Sequence, residues 1–259
     1  MQRKEWLQKT QSMIMKKAII IGASSGIGRE VAKLLIADGW TVGLAARRED
    51  NLQQLKNEVS RDLADGQRVE TARIDVCSEE ATHQLHELLT LLGGIDLFFY
   101  APGIGKVNRQ LQADIEMATV ETNVLGFTRM IGEAYRYFAQ VGGGHIVAIS
   151  SIAGTKGLGP APAYSASKAM QATYLQALEQ LANQQHLPIH ITDIRPGFVD
   201  TALLGSQHYP MMLRPEQVAK EIMSAIRHKN HVRIIDWKYR LLTPLWRCLP
   251  NGLWRRLPL

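Results

Sequence analysis

Two side chains four residues apart, Tyr164 and Lys168, have the types and the spacing for proton transfer. On a helix such a pair shares one face, so the phenol and the ammonium would lie side by side. A free tyrosine has a pKa of ~10, too high for efficient transfer near neutrality, and a nearby cation favours the phenolate. Taken alone the pair is a weak signal, and an ordinary surface pair is the competing reading. Ser150 and Ser151 follow an apolar run and precede Tyr164 by 14 and 13 residues. A hydroxyl at a strand end can orient a carbonyl, although most such serines only shape a turn. Asn123 falls inside a helical stretch, where asparagine is a poor helix former, which suggests a local backbone or water role.

A second group suits an anionic ligand. Gly22, Gly26 and Gly28, with Ser24, Ser25 and Ile27 among them, join the first apolar run to the first helical one. Glycines there let a pyrophosphate approach a helix N-terminus, where free N–H groups and the dipole favour anions. The spacing is G-x-x-x-G-x-G, so a purely structural turn competes. Arg47 and Arg48 follow Ala46 at the end of the second apolar run. A nicotinamide dinucleotide site often carries an acidic residue there for the ribose hydroxyls, whereas arginine suits a 2′-phosphate, with Arg47 the preferred partner and Arg48 the less certain one.

The elements that must position these groups alternate. Strand-like runs cover 17–22, 41–46, 69–74, 96–100, 145–149, 189–194 and 232–235. Helical patterns cover 27–38, 49–64, 79–92, about 112–140, 163–185 and 215–228. This predicts an α/β chain: a single Rossmann-like, doubly wound parallel sheet with helices on both faces. Ligands of such sheets bind beyond the carboxyl ends of the strands, where the glycine turn, Arg47, Arg48, Asp75, Ser150, Ser151, Pro196 and Gly197 all fall. Residues 15–235 read as one domain, 1–14 as an extension, and 236–259 as a basic, tryptophan-rich tail packed on the domain or at an interface.

Charge narrows the partners. The net charge is +6, but residues 1–17 carry +4 and 227–259 carry +7, leaving −5 on the body. A basic nucleic-acid face is therefore not expected. Cys77 and Cys248 are the only cysteines, which gives neither a disulfide framework nor a metal spacing and fits a reducing cytoplasm. No apolar stretch reaches the ~18 residues of a spanning helix.

In order and together, these residues resemble the short-chain dehydrogenase/reductase family over about residues 16–235. Gly22, Gly26 and Gly28 match its glycine motif, and Asp75 its acidic residue near the adenine. Asn123, Ser151, Tyr164 and Lys168 match its catalytic tetrad. Residues 195–201, with Pro196, Gly197 and Thr201, match its segment beside the nicotinamide. The resemblance implies an NADP(H)-dependent enzyme that interconverts a carbonyl and an alcohol. Tyr164 would be the acid/base, Ser151 the partner of the carbonyl oxygen, Lys168 the ribose ligand that tunes Tyr164, and Asn123 the holder of a relay water. It also assigns Ser24, Ser25, Ile27, Arg47, Arg48, Val76, Ala101, Gly103 and Val199 to the cofactor, and implies a homodimer or homotetramer. One departure stands out. The family usually carries two asparagines before the loop glycine Gly103, and here Tyr100, Ala101 and Pro102 precede it, so how the central strand is held is open.

The segment after Thr201 offers Leu203, Leu204, Tyr209, Met211 and Met212 as an apolar lid, favouring an apolar substrate; packing into the core or an interface competes. In the tail, Trp237, Trp246 and Trp254 lie among basic residues, a composition that suits a membrane interface, while Pro244 and Pro250 are expected to break it into short helices. Besides the reductase reading, two others stand: a reductase of a lipid-like substrate at a membrane surface, and a non-catalytic NADP(H)-binding regulator.

Overall fold

The computed structural model describes residues 15–201 and 209–257. The extension 1–14 and the lid positions Leu203 and Leu204 lie outside them. Seven strands form one parallel sheet: β1 (Lys17–Ile21), β2 (Thr41–Ala46), β3 (Val69–Arg73), β4 (Leu97–Tyr100), β5 (Gly144–Ile149), β6 (Ile189–Arg195) and β7 (Val232–Ile234). Their order is β3-β2-β1-β4-β5-β6-β7. The central strands β1, β2, β4 and β5 read as nearly continuous apolar runs because both faces are covered, whereas the edge strands β3 and β7 are only partly buried. Side chains alternate, so Ile20, Leu44, Phe99 and Val147 face one layer while Ile19, Ile21, Phe98 and Tyr100 face the other.

The first layer contains α1 (Gly26–Ala37), α2 (Glu49–Val59) and α7 (Pro215–Arg227). Val31 and Leu35 of α1 join Val218 and Ile222 of α7 in its core. The opposite layer holds α3 (Ala81–Leu92), α4 (Ala113–Val120), α5 (Phe127–Val141) and α6 (Pro162–Gln184). Leu85, Leu88, Phe127, Ile131, Phe138 and Leu175 form its apolar face. Sheet order reverses between β1 and β4, which pair in register with Ile21 opposite Tyr100. The connections after these strands therefore leave in opposite senses and open a crevice at their carboxyl ends.

Three expectations change in detail. The long helix expected over 112–140 is divided: between α4 and α5 the turns of Glu121–Gly126 are π-helical. A π-helical turn admits an extra residue and frees main-chain groups for other partners, and Asn123 sits within it. The helix expected to run to residue 64 ends at Val59 and continues as a 3-10 turn, Ser60–Asp62. In the tail, α8 (Trp237–Cys248) continues through Pro244, and only Pro250 makes a break, before α9 (Asn251–Trp254). Pro244 is exposed, so solvent can satisfy the carbonyl that lost its N–H partner.

The departure at the end of β4 also resolves. Packing and backbone bonds hold this strand. Ala101 N donates to Ile21 O at 3.0 Å, and Lys17 N donates to Asp96 Oδ2 at 2.8 Å. The Tyr100 ring is fully buried, edge-on to Phe127 at 5.3 Å. Its hydroxyl has no hydrogen-bond partner among the described residues, and burial raises its pKa. Leaving such a group unpaired costs about 1–3 kcal/mol. Tyr100→Phe keeps the ring and removes the hydroxyl. We expect it to be neutral or to raise the thermal unfolding midpoint by roughly 2–4 °C. A loss of more than about 1 kcal/mol in denaturant unfolding would show that the hydroxyl is paired.

Candidate active site

The glycine turn is built by close approach. A β-carbon on Gly28 would lie 2.3 Å from Gly22 O, so only glycine lets α1 start this near β1. The Ala101 methyl fills the space beside both glycines, 3.2 Å from a β-carbon built on Gly22 and 3.1 Å from one on Gly28. The loops after β1 and β4 thus meet at the reversal point. Ser25 precedes α1 in an extended conformation and makes no side-chain cap, so the first N–H groups of α1 remain available to an anion. Ile27 is half-buried against the core, and the Thr201 methyl lies 3.2 Å from a β-carbon built on Gly26.

The two arginines separate. Arg48 Nη2 donates to Ser25 Oγ at 2.6 Å and to Ser24 Oγ at 3.2 Å, which holds its guanidinium against the turn. Arg47 is exposed and is not brought to the turn by any such bond. The Asp75 carboxylate accepts from Cys77 N at 3.1 Å and shapes the exit of β3. Val76 is buried against Gly126, and its carbonyl accepts from Arg129 Nη1 at 2.7 Å, tying this exit to the start of α5.

Ser151, Tyr164 and Lys168 come together above the carboxyl end of β5. The Ser151 hydroxyl accepts from Ala153 N at 3.1 Å, lies 3.4 Å from Pro196 O, and is near enough to the Tyr164 phenol to lower its pKa. Ser150 turns the other way and bonds the Asp193 carboxylate inside the sheet, so the two serines have separate duties. Lys168 is buried, with Nζ 5.8 Å from the Tyr164 ring centroid. It donates to Ile149 O at 3.0 Å and to Gln171 Oε1 at 2.9 Å. Gly103 runs directly past Nζ, 3.2 Å from where its side chain would begin.

Electrostatically, burial raises the Tyr164 pKa above its ordinary value, and the Ser151 hydrogen bond opposes it. Desolvation, which disfavours the phenolate, sets the direction of the shift. Burial also pushes the Lys168 ammonium down to about 8, against the pull of the Asp193 carboxylate. Near neutrality this leaves a protonated phenol beside a cation, the state suited to giving a proton to a carbonyl oxygen.

Asn123 is fully buried, and both its side chain and its main-chain carbonyl bond protein groups. Its Oδ1 accepts from Ile104 N at 2.9 Å, and its Nδ2 donates to Ile104 O at 2.7 Å and Ser167 Oγ at 3.0 Å. Its main-chain carbonyl accepts from Gln171 Nε2 at 2.8 Å. Asn123 thus straps the loop after β4 onto α6.

Pro196, Gly197, Val199 and Thr201 line the exit of β6. Pro196 O accepts from Ile152 N at 3.2 Å, and Val199 bridges Leu213. The Tyr239 ring of α8 packs onto Gly197, and its hydroxyl bonds Phe198 N at 3.3 Å and Met211 O at 3.2 Å. Phe198 stacks on Tyr209 with centroids 4.3 Å apart. The tail also braces the segment after Ser151. Trp246 Nε1 donates to Thr155 Oγ1 at 2.6 Å, Trp254 Nε1 to Gly157 O at 2.7 Å, and Lys156 Nζ to Leu249 O at 2.9 Å.

Sequence reasoning missed four of these residues. Gln171 and Asp193 carried a local signal: Gln171 continues the buried polar positions Ser167 and Lys168 along α6, and Asp193 follows Ile189 and Ile191 on one face of β6. Gly105 and Tyr239 carried none, because each matters through a long-range contact. A β-carbon on Gly105 would lie 2.3 Å from Tyr164 Cδ2, so the phenol ring rests on that glycine.

Comparison with known proteins agrees with this geometry. A family model described as short chain dehydrogenase matches residues 16–210. An uncharacterized oxidoreductase of Mycobacterium tuberculosis is 34% identical over 247 residues, covering 93% of this chain and 96% of that protein. Another, from Myxococcus xanthus, is 31% identical over 246 residues, covering 93% and 95%. Among solved structures, a short-chain dehydrogenase from Sphingobium yanoikuyae in complex with NADPH superposes with TM-score 0.77 at 20% identity, covering 94% of this chain and 96% of that one. An alcohol dehydrogenase from the archaeon Thermococcus sibiricus, complexed with 5-hydroxy-NADP, gives 0.76 at 24% identity, covering 85% and 96%. The chain belongs to the short-chain dehydrogenase family and is an oxidoreductase with that family's nucleotide-binding Rossmann fold.

Proposed function

We propose that this oxidoreductase is NADP(H)-dependent and interconverts a small apolar carbonyl compound and its alcohol, with Tyr164 as the acid/base. The observation that carries the reading is the convergence of the Ser151 hydroxyl, the Tyr164 phenol and the buried Lys168 ammonium at one strand end. The cofactor fits the turn: Gly22, Gly26 and Gly28 keep it free of side chains, and α1 presents uncapped N–H groups. Ser24, Ser25 and Arg48 would hold the 2′-phosphate end, Asp75 and Val76 would flank the adenine, and Ala101, Gly103, Pro196, Gly197, Val199 and Thr201 would border the remainder. When bound, NADPH supplies the hydride.

The chain's own residues then control placement and the proton. Ser151 donates to the carbonyl oxygen and stabilises its developing charge. Tyr164 delivers the proton to that oxygen, and its raised pKa keeps the proton in place until then. Lys168 offsets the negative charge that remains on Tyr164. Exposed Met117 and Leu125 favour a homo-oligomer, and a cytoplasmic location belongs to the same reading.

Tyr164→Phe is expected to lower kcat at least ~10³-fold on any carbonyl that the wild type reduces, while NADPH still binds by fluorescence titration. Near wild-type turnover would remove Tyr164 from the mechanism. An absence of turnover by the wild type across a broad carbonyl and alcohol panel would favour the non-catalytic regulator.

Cofactor choice is assigned to Arg48, the arginine held at the turn. Arg48→Ala should raise the KM for NADPH about tenfold and leave that for NADH nearly unchanged, with Arg47→Ala weaker. Equal losses for both cofactors would count against a 2′-phosphate contact.

A specific observation favours a second reading, docking of the tail on an anionic lipid surface. No described helix is long and apolar enough to cross a membrane. On α8, however, Trp237, Leu241 and Leu245 recur at i, i+4 and i+8 and are 60–68% exposed. Residues 237–259 contain Lys238, Arg240, Arg247, Arg255 and Arg256 and no acidic residue. A second copy of this face would bring like charge, whereas anionic headgroups complement it. The protein should sediment with phosphatidylcholine vesicles containing phosphatidylglycerol but not with pure phosphatidylcholine, and L241S/L245S should abolish the binding. Dimerisation through α8 without vesicle binding would instead assign this face to a second copy.

A further inference from the structure

We propose that Gln171 is a positioning residue of the proton-transfer site, because its side-chain amide bridges the Lys168 ammonium to the Asn123 main-chain carbonyl. The inference rests on the reading of Tyr164 and Lys168 given above, and it adds a fixed protein link between Lys168 and Asn123, the residue expected to hold a relay water.

Gln171 is fully buried on α6, one turn beyond Lys168 and on the same face. Both ends of its amide are used. Oε1 accepts from Lys168 Nζ at 2.9 Å, and Nε2 donates to Asn123 O at 2.8 Å. The chemistry dictates this orientation, since only the oxygen can face an ammonium and only the NH₂ can face a carbonyl. A buried amide unpaired at either end would be unfavourable, so the two bonds hold each other in place.

The far anchor is as constrained as the near one. Asn123 lies in the π-helical turn Glu121–Gly126, and its side chain is bonded to Ile104 and Ser167. Gln171 therefore connects Lys168 to a rigid segment. Lys168 Nζ has three N–H bonds, of which Ile149 O takes one and Gln171 Oε1 another. Two fixed acceptors set where the remaining N–H can lie.

An amide accepts and donates hydrogen bonds but neither takes up nor releases a proton near neutrality. The link therefore carries position and charge stabilisation, not proton transfer. The charged and titratable groups facing Lys168 are few. Tyr164 lies on its own helix, and Asp193 acts from β6, already paired with Arg195 at 2.6 Å. From β5 and the π-helical turn come only neutral groups, the Ile149 carbonyl, the serine hydroxyls and Asn123. Gln171 is thus a principal neutral acceptor that helps keep the cation charged.

The test uses the full-length protein with Gln171→Met, which keeps length and removes both bonds, and Gln171→Glu, which places a carboxylate beside the ammonium. Titration of Lys168 is followed by NMR through its ¹³Cε shift, assigned by the peak lost in Lys168→Met. The midpoint is expected to fall by about one pH unit in Gln171→Met and to rise by at least as much in Gln171→Glu. The alkaline limb of kcat should move in the same two directions. Gln171→Met should also lower kcat about tenfold or more, with the KM for NADPH changed less than about threefold.

A merely structural glutamine would reduce activity or stability in both variants without opposite displacements. Folded variants that titrate at the wild-type midpoint would overturn the proposal. The NMR titration needs no turnover, so it reports on the bridge even if Tyr164→Phe retains activity and the mechanism itself fails.

Discussion

An ammonium buried in protein loses its hydration, and the loss is several kcal/mol unless acceptors replace the water. Lys168 is such a group, and much of the site can be understood as its solution. The end of β5 presents the Ile149 carbonyl, α6 supplies Gln171 one turn along, and β6 places the Asp193 carboxylate within electrostatic range. Asp193 in turn needs partners of its own, and Ser150 and Arg195 provide them. One buried charge thereby ties α6 to the ends of β5 and β6. The same arrangement leaves Ser151, the next residue after Ser150, to meet the Tyr164 phenol.

The sheet makes this geometry possible before any polar group is considered. Strand order reverses between β1 and β4, so the two following loops are forced apart at one end and pressed together at their roots. Gly22, Gly28 and Ala101 meet at that root with no room for larger side chains. Further out, the loop after β4 passes Lys168 at Gly103 and Tyr164 at Gly105, and Asn123 holds it there through Ile104. The dinucleotide crevice and the proton-transfer groups therefore share one loop. A change in that loop reaches both, which explains why tight backbone contacts rather than long side chains line it.

Helices on both faces and all seven strands were legible in the sequence because period and punctuation are local, as where the strand-like runs of β1, β3 and β5 stop at Gly22, Asp75 and Ser150. The π-helical turn was legible only as a misfit. Asn123 was recognisably wrong for a helix interior, but its partners Ile104 and Ser167 lie 19 and 44 residues away in sequence. Tyr164, Ser151 and Lys168 were found by spacing, whereas the sign of the Tyr164 shift was not, because desolvation depends on neighbours distant in sequence. By position directly after Ala46, Arg47 was the preferred phosphate partner and Arg48 the less certain one. The path of the chain into α2 decides between them, bringing the second to Ser24 and Ser25.

The tail shows the same limit from the other side. Its composition suggested an appendage, yet its inner face forms part of the site's walls. Tyr239 covers Gly197, while Trp246, Trp254 and Lys156 fix the segment that follows Ser151. These bonds constrain both loops that border the substrate end of the crevice. The walls around the carbonyl are thus built partly from the last helices of the chain, and their outer surface is the apolar, cationic face of α8. Whatever rests on that face acts on loops one side chain removed from Ser151 and Pro196. Under the proposed function, packing therefore couples the surroundings of the tail to substrate access. That coupling requires no moving hinge, because α8 carries its buried and exposed stripes on opposite sides of a single helix.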